Sequence, residues 1–479
     1  MTLLLRSTSL TALVFGLAAC TTPPPEALHP GDVPPAFTAP TTPQMANAPV
    51  WPELAWWDGF NAPELPPLER TALQENLDLL AAKARVDQAH AQAGIAGSAL
   101  FPTLNGTAGA SHSGIGGSHT TTYNVGGQAS YEVDLWGLNR DQLRAAEESE
   151  FAARYAAETT RLTITADVAN TYLDVLALRQ RVAIAKQNIA AARRILAITE
   201  AKVQNGVSSN LELAQQRAQV AGEEAAIPAL EEQEREARYA LAILLGRAPE
   251  GFTVDEVKLD GIVAPAVRAG LPTELLERRP DVAQAEASLR AAHANVDAAR
   301  AAFFPHIDLS AGVTQAFNPS SLAWNIGASL LQAVFDGGRL SSQSDLAKAQ
   351  QMELLVTYRK TVFSALSDTE SAMGQVTSFQ EQERLVTVQE ENAAEAYRIA
   401  ELQYREGVTD LLNVLQTQQT LFNAQDSLIQ IRLARLQASV SLYRALGGGW
   451  TVATDPNAPE DRFSPLHYFP IAEALTGGG

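Results

Sequence analysis

Seven histidines, one cysteine and a surplus of carboxylates are the residues of this 479-residue chain from which chemistry could be built. The histidines are scattered. His112 and His119 alone share a short Gly/Ser-rich segment, where they could touch a metal ion or stand in a loop facing solvent. Gly114-Ile115-Gly116-Gly117 lacks the spacing and the strand-to-helix setting of a phosphate loop. There is no HExxH, no GxSxG and no convincing pair of carboxylates for acid–base work, so we assign no catalytic residue, no metal and no cofactor, and do not read an enzyme. With Cys20 as its only thiol the chain can form neither an internal disulfide nor a cysteine-based metal site. Cys20 closes a run that starts Met-Thr-Leu-Leu-Leu-Arg6 and continues through the apolar stretch Leu10 to Ala19, the order of a secretory signal.

Leu17-Ala18-Ala19-Cys20 resembles a bacterial lipoprotein signal, which implies lipidation of Cys20, each buried CH₂ adding ~0.8 kcal/mol of membrane affinity; Thr21 rather than an acidic residue follows the cysteine, and an ordinary signal peptide with an incidental Cys is the alternative. Thirteen of the 25 prolines lie between Pro23 and Pro67, a composition that makes an extended tether and not a core. The balance of 35 Lys+Arg against 54 Asp+Glu, a net charge of −19, argues against nucleic acid as partner. Hydrophobic residues reach 46% but aromatics only 6%, which suits Ala- and Leu-rich helices packed on one another. No stretch after Ala19 has 18 consecutive apolar residues, so any membrane crossing must be made of strands.

The chain repeats itself. Phe101-Pro102 matches Phe304-Pro305, and Asp78, His90 and Gly109 match Asp281, His293 and Gly312, all at an offset of 203; Gly206-Val207 and Leu245-Gly246 match Gly407-Val408 and Leu446-Gly447 at 201. Each copy reads as a helix (about 68–100 and 273–304) ended by proline, a β-hairpin, a very long helix and a return helix. In the second copy His306 to Gln315 alternates polar and apolar, Asn318 to Ser321 turns, and Leu322 to Phe335 returns. In the first, Thr103 to Ser111 and Thr121 to Trp136 flank a loop through Thr120. Residues 138–205 hold no Pro or Gly and 339–406 only Gly374, so each can run as one helix of ~100 Å. Val175, Val182, Ile189, Leu196 and Val203 recur at sevens, with Leu178, Ala185, Ala192 and Thr199 three residues on, as in a coiled-coil seam. Gly206 and Gly407 end these helices, return helices follow over about 209–245 and 410–446, and Pro228 is expected to kink the first of them. Four strands cannot close a barrel, so the chain must oligomerise; three copies would supply twelve. The boundaries expected are a signal at 1–19, a leader at 20–67, repeats at 68–250 and 273–449 around a linker at 251–272, and a tail at 450–479. The fold class is mainly α with a membrane β-barrel part.

Seven segments stand in order on this plan: the Leu-Ala-Ala-Cys start, Trp56-Trp57, Leu276-Glu277-Arg278-Arg279-Pro280-Asp281-Val282, Ala298 to Pro305, Phe335-Asp336-Gly337-Gly338-Arg339, Tyr404-Arg405-Glu406-Gly407-Val408, and Leu442 to Trp450. From about Cys20 to Trp450 they resemble the outer-membrane efflux and secretion channels, TolC-like, in the lipoprotein branch similar to OprM. The resemblance implies a homotrimer in outer-membrane lipid with a twelve-strand β-barrel and a twelve-helix α-barrel. It implies a closed periplasmic tip opened by an inner-membrane transporter and a periplasmic adaptor. It places a gate at Asp410, Leu412, Asn413 and Gln416; where family members carry acidic rings, this chain has the amides Asn413 and Gln416, which puts strong cation selectivity in doubt. Ordinary seam residues and an Asp410 helix cap are the plainer alternative. By register Glu212, Tyr404 and Arg432 match a gate lock, or are solvated charge. Gly206, Val207, Gly407 and Val408 match adaptor-contact tips, or are only caps. The function implied is a passive export duct for drugs or other small molecules. The rivals are a duct for secreted proteins and a periplasmic coiled-coil lipoprotein that never spans the membrane.

Overall fold

The computed structural model describes residues 33–40, 48–255 and 258–450. Cys20, the expected signal at 1–19 and the tail after Trp450 lie outside these residues.

A short turn of 3-10 helix at Trp56–Phe60 leads into α1 (Leu65–Glu75) and α2 (Leu77–Ser98). The first helix expected from sequence is thus two, divided where Asn76 turns extended and caps α2 by accepting from the Leu79 N–H at 2.9 Å. Then come β1 (Thr103–Ile115), β2 (Ser118–Glu132), α3 (Leu138–Gln204) and α4 (Asn210–Leu244). The second copy repeats the order with α5 (Pro272–Leu276), α6 (Pro280–Ala301), β3 (His306–Phe317), β4 (Ser321–Leu331), α7 (Arg339–Arg405) and α8 (Leu411–Ala445). The long helices α3 and α7 each have 67 residues, ~100 Å at 1.5 Å per residue. Pro228 sits inside α4, which continues past it. The duplication extends to side chains. His90 Nδ1 of α2 lies 3.2 Å from Glu150 Oε1 of α3, and at the matching place His293 Nδ1 of α6 lies 3.0 Å from Gln351 Nε2 of α7.

The helices share their main core about halfway along α3. Tyr172, Leu173, Val175 and Leu176 are fully buried there with Phe60, Leu65, Leu241, Leu245 and Leu275. Trp56 stacks on Tyr443 with centroids 5.2 Å apart, tying the start of the described chain to α8. The heptad seam holds only in part. Val175, Ile189, Ala192 and Thr199 are buried, but Leu196 is only half-buried and the fully buried residue is its neighbour Ile195. The reason is that α3 packs against α4, α6 and α8 and not against one partner, so its apolar surface is broader than a two-helix stripe.

Glu69 of α1 is fully buried, and neither carboxylate oxygen has a hydrogen-bond partner. Burial pushes its carboxyl well above the usual range. The sign follows from linkage: the unfolded carboxyl ionises near pH ~4.3 while the folded one stays protonated, so stability falls as pH rises between the two values, by up to ~1.4 kcal/mol per unit. Thermal melts at pH 5 and pH 8 should therefore differ less in Glu69→Gln than in the native chain; an unchanged gap would mean that Glu69 is not the group responsible.

The sheet is antiparallel in the order β1-β2-β3-β4. Its first hairpin is tighter than expected. The segment read as a Gly/Ser/His loop is strand up to a turn at Gly116 and Gly117, both at positive φ, so His112 and His119 lie on facing strands with their rings stacked 5.5 Å apart. His119 can lie flat because Gly114 opposite has no Cβ, which would sit 2.6 Å from His119 Nδ1. In the second hairpin β4 stops at Leu331, before the expected Phe335.

Register divides the sheet into two faces. One carries Leu104, Val125, Leu309, Val313, Trp324 and Ile326; the other carries Thr107, Asn124, Gln128, Ser310, Thr314 and Asn325. The apolar residues are exposed in the single chain, Ile326 by 79% and Trp324 by 74%, which is tolerable only against lipid. No helix among the described residues is long and apolar enough to cross a membrane. Ile326→Lys should cost ~2–4 kcal/mol per chain, whereas Thr107→Lys on the polar face should be tolerated. The yield of heat-modifiable oligomer in the outer-membrane fraction checks this, and loss in Thr107→Lys with tolerance of Ile326→Lys would reverse the assignment of faces.

Candidate functional site

The lower ends of the long helices hold the residues marked by sequence. At the first tip α3 stops at Gly206, φ +73°, whose N–H donates to Val203 O at 3.0 Å while Val207 N–H donates to Lys202 O at 2.8 Å. At the second, Gly407, φ +76°, donates to Tyr404 O at 3.1 Å and Val408 N–H to Gln403 O at 2.8 Å. Both are left-handed caps that satisfy the last carbonyls, and both push a valine outward, Val207 73% and Val408 74% exposed. Two apolar knobs thus stand on caps a glycine allows, available to another surface.

The four residues expected at a gate come together at the start of α8. Asp410 is the helix cap, its Oδ1 accepting from the Asn413 N–H at 3.1 Å. Leu411 and Val414 are fully buried seam residues, but Leu412 is 64% exposed, and Asn413 and Gln416 share its open side. An exposed leucine flanked by amides is not held there by packing within the chain.

The expected lock does not assemble within the chain. Glu212 stays in its own turn, accepting from Ser208 Oγ. Arg432 lies 21 residues beyond Leu411, ~30 Å up α8, where it pairs with Glu383 Oε1 at 3.2 Å and with Asp260. Tyr404 alone is in a latch, and its partners are others. Its hydroxyl lies 3.0 Å from Thr199 Oγ1, and Lys202 Nζ donates to its carbonyl oxygen and stands 4.0 Å from its ring centroid. Thr199 is fully buried and Tyr404 nearly so. These contacts join the two helical hairpins at their tips, above them a small core of Ile195, Tyr397, Leu411, Val414 and Phe422. Burial, with Glu401 nearby, pushes the Tyr397 phenol up to about 12. Further up, Arg181 grips Asp426 at 2.6 and 3.3 Å and Gln437 donates to Asp174 at 2.9 Å. The sequence signal for Lys202 was available: it precedes Gly206 by four residues as Tyr404 precedes Gly407 by three, so duplication brings both to one level.

An edge-exposed four-stranded sheet, apolar on one face and polar on the other, continued by ~100 Å helices, defines one chain of an oligomeric membrane barrel with a helical conduit. Residues 68–247 and 271–448 match the outer membrane efflux protein family. The chain is 44% identical over 413 residues to the pyoverdine export outer membrane protein OpmQ of Pseudomonas aeruginosa, covering 82% of this chain and 87% of that one. It is 30% identical to the probable efflux pump outer membrane protein TtgC of Pseudomonas putida, over 94% and 96% of the two chains. Its fold matches the open state of the MtrE outer membrane channel of Neisseria gonorrhoeae with a TM-score of 0.81 at 29% identity, over 90% and 98%. The chain belongs to the outer membrane efflux protein family, a family of ducts and not of enzymes.

Proposed function

We propose that the chain assembles as a homotrimer, β4 of each copy pairing with β1 of the next, into a passive export duct for small organic molecules. The duct is driven by an inner-membrane transporter through a periplasmic adaptor that docks on the tips at Gly206, Val207, Gly407 and Val408. The observation that carries the reading is the two-faced sheet whose β1 and β4 edges stay unpaired in one chain: in lipid each open N–H or C=O costs several kcal/mol, so closure by further copies is demanded. A coiled-coil lipoprotein that never spans has no use for such a face. The similarity to OpmQ and TtgC supports small-molecule cargo over secreted protein. Leu412, ringed by Asn413 and Gln416 from three copies, is the constriction, with Asp410 capping the helix that presents it. Cys20, acylated, adds an anchor the barrel does not require.

Single-channel recording in planar bilayers tests this, native chain beside Leu412→Ser with Gln416→Ala. Small, rare openings that become large and sustained in the variant are expected. A native chain already wide open would remove the gate and keep the duct. No current from either, despite verified insertion, would remove the duct.

A further inference from the structure

The exposed face of α8 above Leu412 has a composition unlike the rest of the chain. Asn413, Gln416, Gln419, Asn423, Ser427 and Gln430 are all exposed and fall at helical spacing on one side, over ~26 Å. In a chain with 54 carboxylates, residues 411–431 hold one charged side chain, Asp426, and Arg181 engages it at 2.6 and 3.3 Å; Asp410, just before them, is the one carboxylate at the foot of this face and caps the helix through Oδ1. Gln419 Nε2 donates to Asn423 Oδ1 at 2.9 Å and its Oε1 accepts from Gln219 Nε2 at 3.4 Å, Asn413 Nδ2 donates to Thr409 Oγ1 at 3.2 Å, and Gln430 Nε2 donates to Asp426. Each keeps further donors and acceptors free for water or solute.

Internal duplication supplies the control. At the offset of 201 that relates Gly206 to Gly407, the six positions become Glu212, Gln215, Ala218, Gly222, Ala226 and Ala229 on α4. Those last four small residues are exposed in the single chain, and the matching segment 210–230 carries four charges: Glu212, Arg217, Glu223 and Glu224. A small-residue face suits close approach of a neighbouring helix. A ladder of amides does not, because packing it dry would strip water from groups left without partners. The two copies share a fold and have diverged on this face.

We propose that this side of α8 is the solute-contacting wall of the duct above its gate, and that its uncharged hydrogen-bonding ladder passes small anionic and neutral polar solutes without the cation preference a carboxylate ring imposes. The inference rests on the duct reading above. The polar face of the sheet has the same character, Ser, Thr, Asn and Gln standing in place of charge with Asp308 and Glu132 only at its lower end.

Two measurements on the full-length protein in planar bilayers test it, both in the Leu412→Ser background so that current flows. In a KCl gradient the permeability ratio of potassium to chloride should lie within about twofold of unity, and Asn413→Asp with Gln416→Asp should raise it by ~5-fold or more. Asn423→Cys should lose current to a charged thiol reagent, measured against the parent carrying only Cys20, while Ala226→Cys should not. Strong cation preference in the parent overturns the neutral wall and leaves the duct standing; block at Ala226→Cys but not Asn423→Cys overturns the placement of α8. Absence of current from every variant after verified insertion overturns the duct, and the wall with it.

Discussion

Gly447→Ala should eliminate nearly all folded, heat-modifiable oligomer, and Gly246→Ala should do the same from the other copy. Both glycines end a return helix in the left-handed region, at φ +84° and +68°. A Cβ on Gly447 would lie 1.9 Å from the carbonyl oxygen of Arg278, and one on Gly246 would lie 2.1 Å from that of Glu75. Those oxygens belong to the backbone just before α6 and α2, so no side chain can swing aside. The left-handed conformation alone costs alanine ~1–2 kcal/mol. Displacing the start of a neighbouring helix adds several more, of the order of a whole domain's margin of ~5–15 kcal/mol. The tip glycines are the contrast: Gly206 and Gly407 have φ of +73° and +76° but nothing within 4 Å of the added Cβ. Gly206→Ala and Gly407→Ala should therefore lose only the conformational ~1–2 kcal/mol and still assemble. Oligomer yield across the four variants separates strain from collision, and equal yields would mean that collision contributes nothing.

That difference was invisible in the sequence, where Gly206 and Gly407 read as helix ends and Gly246 and Gly447 only as a matched pair of the two copies. What was legible is what rests on local or periodic patterns. The absence of Pro and Gly from 138–205 gave α3 to within a residue, and the alternation after Phe304-Pro305 gave β3. The matched offsets revealed two copies, because duplication preserves spacing whatever the tertiary context. The errors lie where context decides. Asn76 divides the first helix because its side chain reaches across to accept from Leu79 N–H and donate to Leu244 O, a partner 168 residues away. The His112–His119 segment looked like loop because Gly and Ser are poor strand formers in water, yet a membrane sheet accepts them once both neighbours pair. The residues expected to form the lock do not meet within one chain because they stand at different levels: Arg432 is ~30 Å up α8 from the tip that holds Tyr404, and pairs there with carboxylates on α7 and on the linker.

The tip latch makes the second large effect. Lys202→Met with Tyr404→Phe should raise the open-to-closed ratio of the channel by ~100-fold or more, with each single variant giving a smaller share. Thr199 Oγ1 lies 2.9 Å from Ile195 O, to which its one proton goes, so the Tyr404 hydroxyl donates to Thr199 at 3.0 Å. Tyr404→Phe removes that bond, ~1 kcal/mol, and leaves Thr199 satisfied by Ile195. Lys202 does more. Its ammonium caps a carbonyl in the last turn of α7, where the helix dipole is negative, and sits over the phenol ring, so its loss removes a charge-assisted bond of ~1.5–3 kcal/mol and a cation–π contact. The pair together holds ~3 kcal/mol, which corresponds to the expected ~100-fold change. Arg432→Met is the decisive control. If the lock were the one register suggested, it would open the channel as Lys202→Met does; held by Glu383 and Asp260 ~30 Å away along α8, it should leave open probability unchanged. Open probability of the four proteins in planar bilayers, with oligomer yield confirming that each has folded, decides between the two. A channel opened by Arg432→Met and untouched by Lys202→Met would return the latch to Arg432.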